Sequence, residues 1–302
     1  MKHLLKLLDC TPEEIKEILD LADQLKADRK RGIEKPLLSG KTLGMIFQKS
    51  STRTRVSFET GMYQLGGHAL FLSSRDLQIG RGEPVEDTAR VLSRYLDGIM
   101  IRTFAQKEVE DLAAIGSIPV INGLTDFCHP CQVLADLMTL REHMGNLNGK
   151  KAVFIGDGNN MANSLIVGCL KMGMRFSAAC PVGYQPDPIV LDFAKGYGAA
   201  FQLTSDPMEA AKGADAVFTD VWASMGQEDE RALREKVFAG IYQVNAEMMS
   251  VTNPGCMVQH CLPAHRGEEI TADVFEAHAN EIFDEAENRL HAQKAVLVKL
   301  LA

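Results

Sequence analysis

Arg53 and Arg55 stand among hydroxyl residues in Ser50-Ser51-Thr52-Arg53-Thr54-Arg55. Guanidinium forks bind phosphate through paired hydrogen bonds, and hydroxyls add further donors. The apolar run Leu43–Phe47 before the cluster reads as a buried strand. Phe58, Met62 and Leu65 after it recur at helical spacing. The loop therefore joins a strand's carboxyl end to a helix's amino end, where free N–H groups and the helix dipole favour an anion. A phosphate site is the expectation. Arg53 and Arg55 are two positions apart and point to different sides of a helix. One meets the ligand and the other holds the loop through an internal ion pair. An N-capped helix with solvated arginines accounts for any single residue here, and less well for the whole cluster at this place.

Further groups fall at similar strand ends. Arg102 closes Ile99–Ile101 on the same rim. In Cys128-His129-Pro130-Cys131-Gln132, a neutral imidazole can donate to a carbonyl oxygen, and Gln132 can both donate and accept. The lone Cys-x-x-Cys lacks a second pair at zinc spacing, so no metal is expected. Ile155-Gly156-Asp157-Gly158-Asn159-Asn160 invites a dinucleotide reading, but Met161 replaces the third glycine. No nicotinamide or other cofactor is expected.

The elements that must position these groups alternate between strand and helix. Short apolar runs lie at Leu43–Phe47, Ala69–Leu72, Ile99–Ile101 and Pro119–Ile121. They resume at Ala152–Ile155, Ser177–Cys180, Ala200–Leu203, Ala216–Thr219 and Met257–Leu262. Thr11-Pro12-Glu13-Glu14 carries a helix start with a capping box, and Ala286–Ala302 reads as one amphipathic helix. Alternation of this kind predicts an α/β fold of two doubly wound parallel-sheet domains with helices on both faces. The boundary falls at Gly145–Lys150, giving domains 1–145 and 146–285, with helix 286–302 packing back on the first. A chain of 302 residues suits two such domains. The net charge of −8 argues against a nucleic-acid partner and requires local capture of any anion. Seven scattered cysteines fit a reducing, cytoplasmic setting. No signal peptide or membrane span is read, so no membrane partner is expected.

Ser51-Thr52-Arg53-Thr54-Arg55 with Ser57-Phe58-Glu59 resembles the carbamoyl-phosphate loop of the aspartate and ornithine carbamoyltransferases, and His129-Pro130-Cys131-Gln132 resembles their His-Pro-x-Gln signature. Asp220-Val221-Trp222-Ala223-Ser224-Met225-Gly226 and His260-Cys261-Leu262-Pro263 resemble the ornithine branch. The resemblance covers nearly the whole chain. It implies carbamoyl transfer to the δ-amine of ornithine, giving citrulline and phosphate. Arg102, His129 and Cys261 are then catalytic. Carbamoyl phosphate falls to Ser51, Thr52, Arg53, Thr54, Gln78, Arg102, His129, Gln132, Cys261, Leu262 and Arg289. Ornithine falls to Asn160, Asp220, Ser224 and Met225. Gln78 matches a position supplied by a neighbouring subunit, which implies a homotrimer or a multiple of trimers with shared active sites. Gln48 stands where the family commonly has Glu, which puts in doubt an ion pair of domain closure. A putrescine carbamoyltransferase, a non-catalytic anion binder and a dehydrogenase-like protein are the alternatives.

Overall fold

The structure is a computed structural model describing residues 1–224 and 226–302. Two compact units make up the chain: Met1–Met138 with Glu287–Ala302, and Thr139–Ala286.

In the first unit, β1 (Thr42–Phe47), β2 (His68–Ser73), β3 (Gly98–Arg102) and β4 (Val120–Leu124) form a parallel sheet in the order β2-β1-β3-β4. The chain leaves β1 toward one edge and returns on the other side as β3. Such a reversal opens a crevice at the carboxyl ends of the two central strands. Phe47 and Arg102 pair across that place. Leu43, Met45, Ile46, Ile99, Met100 and Ile101 are fully buried, as expected for strands covered on both faces. Helix Pro12–Lys30 begins with the expected capping box: Thr11 accepts from the Glu14 amide while the Glu14 side chain accepts from the Thr11 amide.

The second unit repeats the plan with β5 (Lys151–Ile155), β6 (Arg175–Ala179), β7 (Phe201–Thr204), β8 (Ala216–Thr219) and β9 (Met257–His260), ordered β7-β6-β5-β8-β9 and all parallel. Its reversal lies between β5 and β8. Val153, Ile155, Val217, Val258, Phe238 and Phe275 form its core. Each full burial of such a side chain contributes roughly 1.5–3 kcal/mol.

Every expected strand is present, most with ends shifted by one or two residues; β4 shifts most, running to Leu124 rather than Ile121. β9 stops short at His260, because Leu262 takes a left-handed φ of 59° that a strand cannot hold. The last helix runs Ala279–Leu301, starting earlier than its apolar spacing suggests. It is also less amphipathic than expected: His291, Ala292, Gln293, Lys294, Ala295, Val296 and Leu297 are all buried in succession. No helix among the described residues is long and apolar enough to cross a membrane.

Candidate functional site

The first group of side chains lies in the first unit at the β1/β3 reversal. Ser51 caps helix Thr52–Gln64, its Oγ accepting from the Thr54 amide at 3.2 Å. This places the residues between β1 and the helix at an amino terminus with its partial positive charge. Thr54 is buried, and its Oγ1 accepts from Arg289 Nη2 at 3.2 Å. Arg289 Nη1 donates to Gln132 Oε1 at 2.6 Å, and Gln132 Nε2 donates to Asp136 at 2.8 Å. One guanidinium thus spans the helix after β1 and the helix after β4. Thr52 is exposed, while Ser51 and Arg53 are half-buried.

The two loop arginines differ as their spacing implies. Arg55 points to the surface, pairs with Glu59 at 3.1 Å and lies 3.7 Å from the centre of the Phe71 ring. The Arg53 charge acts on His129 through space. His129 is buried, and burial with the Arg289, Arg102 and Arg53 charges holds its pKa well below the usual histidine value. The imidazole is neutral near pH 7 and can donate one hydrogen bond without carrying charge. Arg102, also buried, ends β3 at the reversal. Cys128 and Cys131 are buried, and burial pushes both thiols up to about 12. They keep their protons at neutral pH. Gln78 is exposed in the short helical turn Gln78–Arg81.

The second group lies in the second unit at the β5/β8 reversal. Asp220 directly follows β8. Its carboxylate accepts from Asn159 Nδ2 at 2.8 Å, from the Val221 amide at 2.8 Å and from Cys261 Sγ at 3.2 Å. Asn159 also caps helix Asn160–Lys171, accepting from Met161 and Ala162. Asn160 is therefore the first helical residue, beside the acid. Asp157 forms a buried ion pair with Arg234 at 2.7 Å, and the same Nη1 donates to the Trp222 carbonyl at 3.0 Å. Burial raises Asp157 to about 6, against the Arg234 charge and with the aid of Asp220 and Glu230. Ser224 is fixed by Gln227, whose Oε1 accepts from its amide at 3.0 Å. Met225 lies outside the described residues.

Past β9, the Leu262 amide donates to His260 Nδ1 at 2.9 Å. The ring proton is thus on Nε2, which faces buried Glu269 at 3.1 Å. That hydrogen bond holds the turn carrying Cys261 and Leu262. Donor atoms of Asp220, His260 and Cys261 come within 4.8 Å of one another, yet both His260 nitrogens already have partners. A second cluster, His265, Glu268 and Glu269, is committed in the same way, with Glu268 paired to Arg231 and Glu269 to His260.

The dinucleotide-like turn has a structural explanation. A Cβ on Gly158 would sit 2.3 Å from the Gln185 carbonyl carbon and the Pro186 nitrogen. The Gly158 amide donates to the Tyr184 carbonyl at 2.8 Å. The chain's own backbone thus occupies the approach that a pyrophosphate would need.

Within the first unit, the expected residues Thr54, Gln132 and Arg289 join in one hydrogen-bonded set, beside which His129 lies among the charges of Arg53, Arg102 and Arg289. Within the second, Asp220 and Cys261 meet. Sequence reasoning missed Asn159, Asp157, Arg234 and Glu269. Asn159 had a signal, as a capping residue before a helix at a strand end. Arg234 had none, being one basic residue in an exposed-looking helix.

Two family models match the chain. The carbamoyl-P binding domain of aspartate/ornithine carbamoyltransferase matches residues 2–142, and the Asp/Orn binding domain matches residues 148–300. An ornithine carbamoyltransferase of Carboxydothermus hydrogenoformans is 56% identical, across 99% of this chain and 97% of that protein. One from Pyrococcus abyssi is 55% identical, across 99% and 96%. The solved ornithine carbamoyltransferase from Pyrococcus furiosus superposes with a TM-score of 0.94 at 53% identity, covering 99% of this chain and 97% of that one. An anabolic ornithine carbamoyltransferase from Campylobacter jejuni gives 0.92 at 44% identity, covering 99% of each.

Proposed function

The chain belongs to the aspartate/ornithine carbamoyltransferase family, and on that premise we propose that it transfers the carbamoyl group of carbamoyl phosphate to the δ-amine of L-ornithine, giving L-citrulline and phosphate in arginine metabolism. The observation that carries the choice of acceptor is the buried Asp220 carboxylate, hydrogen-bonded by Asn159 and Cys261. A lone carboxylate suits an α-ammonium. An aspartate acceptor would need cations for its second carboxylate, and none lies in Asp220–Gly226.

The neutral δ-amine nitrogen attacks the carbonyl carbon, and negative charge grows on the carbonyl oxygen. Arg102, neutral His129 and Thr54 donate to that oxygen; loss of one such donor costs on the order of 3 kcal/mol in barrier. The C–O bond to phosphate then breaks, the electron pair leaves with phosphate, and the former amine nitrogen releases its surplus proton. Ser51, Thr52, Arg53 and the helix terminus hold the departing charge, with Gln132 and Arg289 setting the cradle. Asn160, Ser224 and Met225 take the α-carboxylate. Cys261 and the Leu262 backbone complete the carbamoyl-phosphate contacts. No side chain becomes covalently bound, and much of the acceleration comes from orientation and preorganised charge.

In this reading residues 1–145 with helix 286–302 bind carbamoyl phosphate, and residues 146–285 bind ornithine. Exposure of Gln78 supports its donation to a neighbouring copy, within a homotrimer or a multiple of trimers. Seven cysteines scattered along the chain support a cytoplasmic setting.

Purified protein given carbamoyl phosphate and a panel of acceptor amines tests the reading. Citrulline formation from ornithine is expected. Turnover with aspartate or putrescine but not ornithine overturns it, as does tight binding of carbamoyl phosphate without turnover. Arg53→Ala should raise the carbamoyl phosphate KM by at least about tenfold, since a charge-assisted hydrogen bond contributes about 1.5–3 kcal/mol.

A further inference from the structure

Gln48 and Lys49, the two residues that follow β1, connect Arg102 at the end of β3 to the loop between β4 and His129. The backbone amides of both donate to the Arg102 carbonyl, at 2.9 and 3.4 Å. Lys49 is buried; its ammonium pairs with Asp126 and lies 4.2 Å from the centre of the Phe104 ring. Asp126 closes the link, its amide donating to the Phe104 carbonyl at 2.9 Å.

Gln48 is part of a closed triangle. Its Nε2 donates to Glu108 Oε1. Its Oε1 accepts from Thr103 Oγ1 at 2.9 Å. The single Thr103 hydroxyl hydrogen is shared between that oxygen and Glu108 Oε2. Thr103 is fully buried and directly follows Arg102. The neutral amide at position 48 donates to the carboxylate and accepts from the hydroxyl at once. A carboxylate there would set two negative oxygens against each other and remove a donor.

We infer that Gln48 is a positioning residue for the transfer reaction: through Thr103 and Glu108 it fixes the end of β3, and with it Arg102, against the loop holding Ser51–Arg53. The inference rests on the carbamoyl-transfer reading and deepens it.

The single variant Gln48→Glu and the double variant Gln48→Glu with Glu108→Gln test it. In the single variant the introduced carboxyl is a donor only while protonated. At low pH it reproduces the amide; as pH rises the proton is lost and the triangle opens. The ratio of variant to wild-type kcat/KM for carbamoyl phosphate should therefore start within about threefold of unity near pH 5.5 and fall by about tenfold or more toward pH 8.5. The double variant exchanges donor and acceptor and should restore a ratio that is flat with pH. Lys49, Arg102, Asp126 and His129 on these loops, and Lys107 beside Glu108, are unchanged in both variants and cancel in the ratios. A flat ratio for the single variant overturns the inference. So does a double variant no better than the single one, or a fall in melting temperature with no change in kcat/KM. Absence of citrulline formation by the wild-type protein is a different outcome and overturns the carbamoyl-transfer reading instead.

Discussion

The Cys261 thiol lies 3.2 Å from Oδ1 of Asp220 and donates its hydrogen to that carboxylate. A donor to a charged acceptor stabilises it, and its loss from a buried site typically costs about 1.5–3 kcal/mol. Cys261→Ala should raise the ornithine KM by about tenfold or more. Cys261→Ser keeps a hydroxyl donor and should recover most of that loss. Steady-state kinetics with each substrate varied in turn checks this; equal losses for alanine and serine would count against the hydrogen bond.

Asp157 titrates near pH 6, because burial raises it while Arg234 opposes the shift. A carboxyl whose folded pKa is raised contributes stability fully below its unfolded value, and the contribution is lost as pH rises through the folded value. Asp157→Asn carries no such titration. Relative to wild type, the asparagine variant should therefore gain up to about 3 kcal/mol between pH 4 and pH 7. Denaturant titrations at matched protein concentration read this difference. Only the charged form pairs fully with Arg234, which also holds the Trp222 carbonyl. The ornithine kcat/KM should accordingly show an acid limb near pH 6 that the variant lacks.

His129 behaves with the opposite sign. Burial and three arginine charges depress its pKa, so the folded protein keeps it neutral while the unfolded chain takes up a proton below about 6.5. Its contribution to stability is lost as pH falls below that value, by about 1.4 kcal/mol per pH unit. His129→Gln should remove this dependence, and stability measured at pH 5.5 and pH 7.5 should differ less than in wild type. An unchanged difference would mean that the histidine is charged when folded.

Gly158→Ala would place a methyl group 2.3 Å from backbone atoms of Gln185 and Pro186. Forced overpacking of this kind costs typically about 1–3 kcal/mol. A clear fall in melting temperature and a raised ornithine KM are expected. Gly196→Ala meets only the Phe193 carbonyl, at 3.3 Å, and should perturb far less.

Strand positions were legible in the sequence because each buried parallel strand is a short apolar run between polar turns, as with Ile99–Ile101 inside Gly98–Arg102. The helix start after β1 was legible because its cap is local: Ser51, Thr54 and the first turn are neighbours in sequence. The end of β9 was not, since nothing in the apolar run Met257–Leu262 announces the left-handed backbone at Leu262. The C-terminal helix misled for a related reason. Its polar residues Asn288, Arg289 and Gln293 suggest a wet face, yet all three are buried. Partners far away in sequence decide such cases, and Lys26 with Asn288 at 2.7 Å is one of them. Arg234 and Glu269 were illegible on the same ground, because their meaning comes from Asp157 and His260.

Arg289 belongs to the same compact unit as Thr54 and Gln132, although the whole of Thr139–Ala286 intervenes along the chain. The first half is therefore not a separable N-terminal module. A fragment ending at Met138 would carry Arg53 and His129 but leave Gln132 and Thr54 without their shared guanidinium. During synthesis the Thr54–Arg289–Gln132 set can be finished only after the entire second unit has been made, so every released polypeptide holding that guanidinium in place would already possess both units.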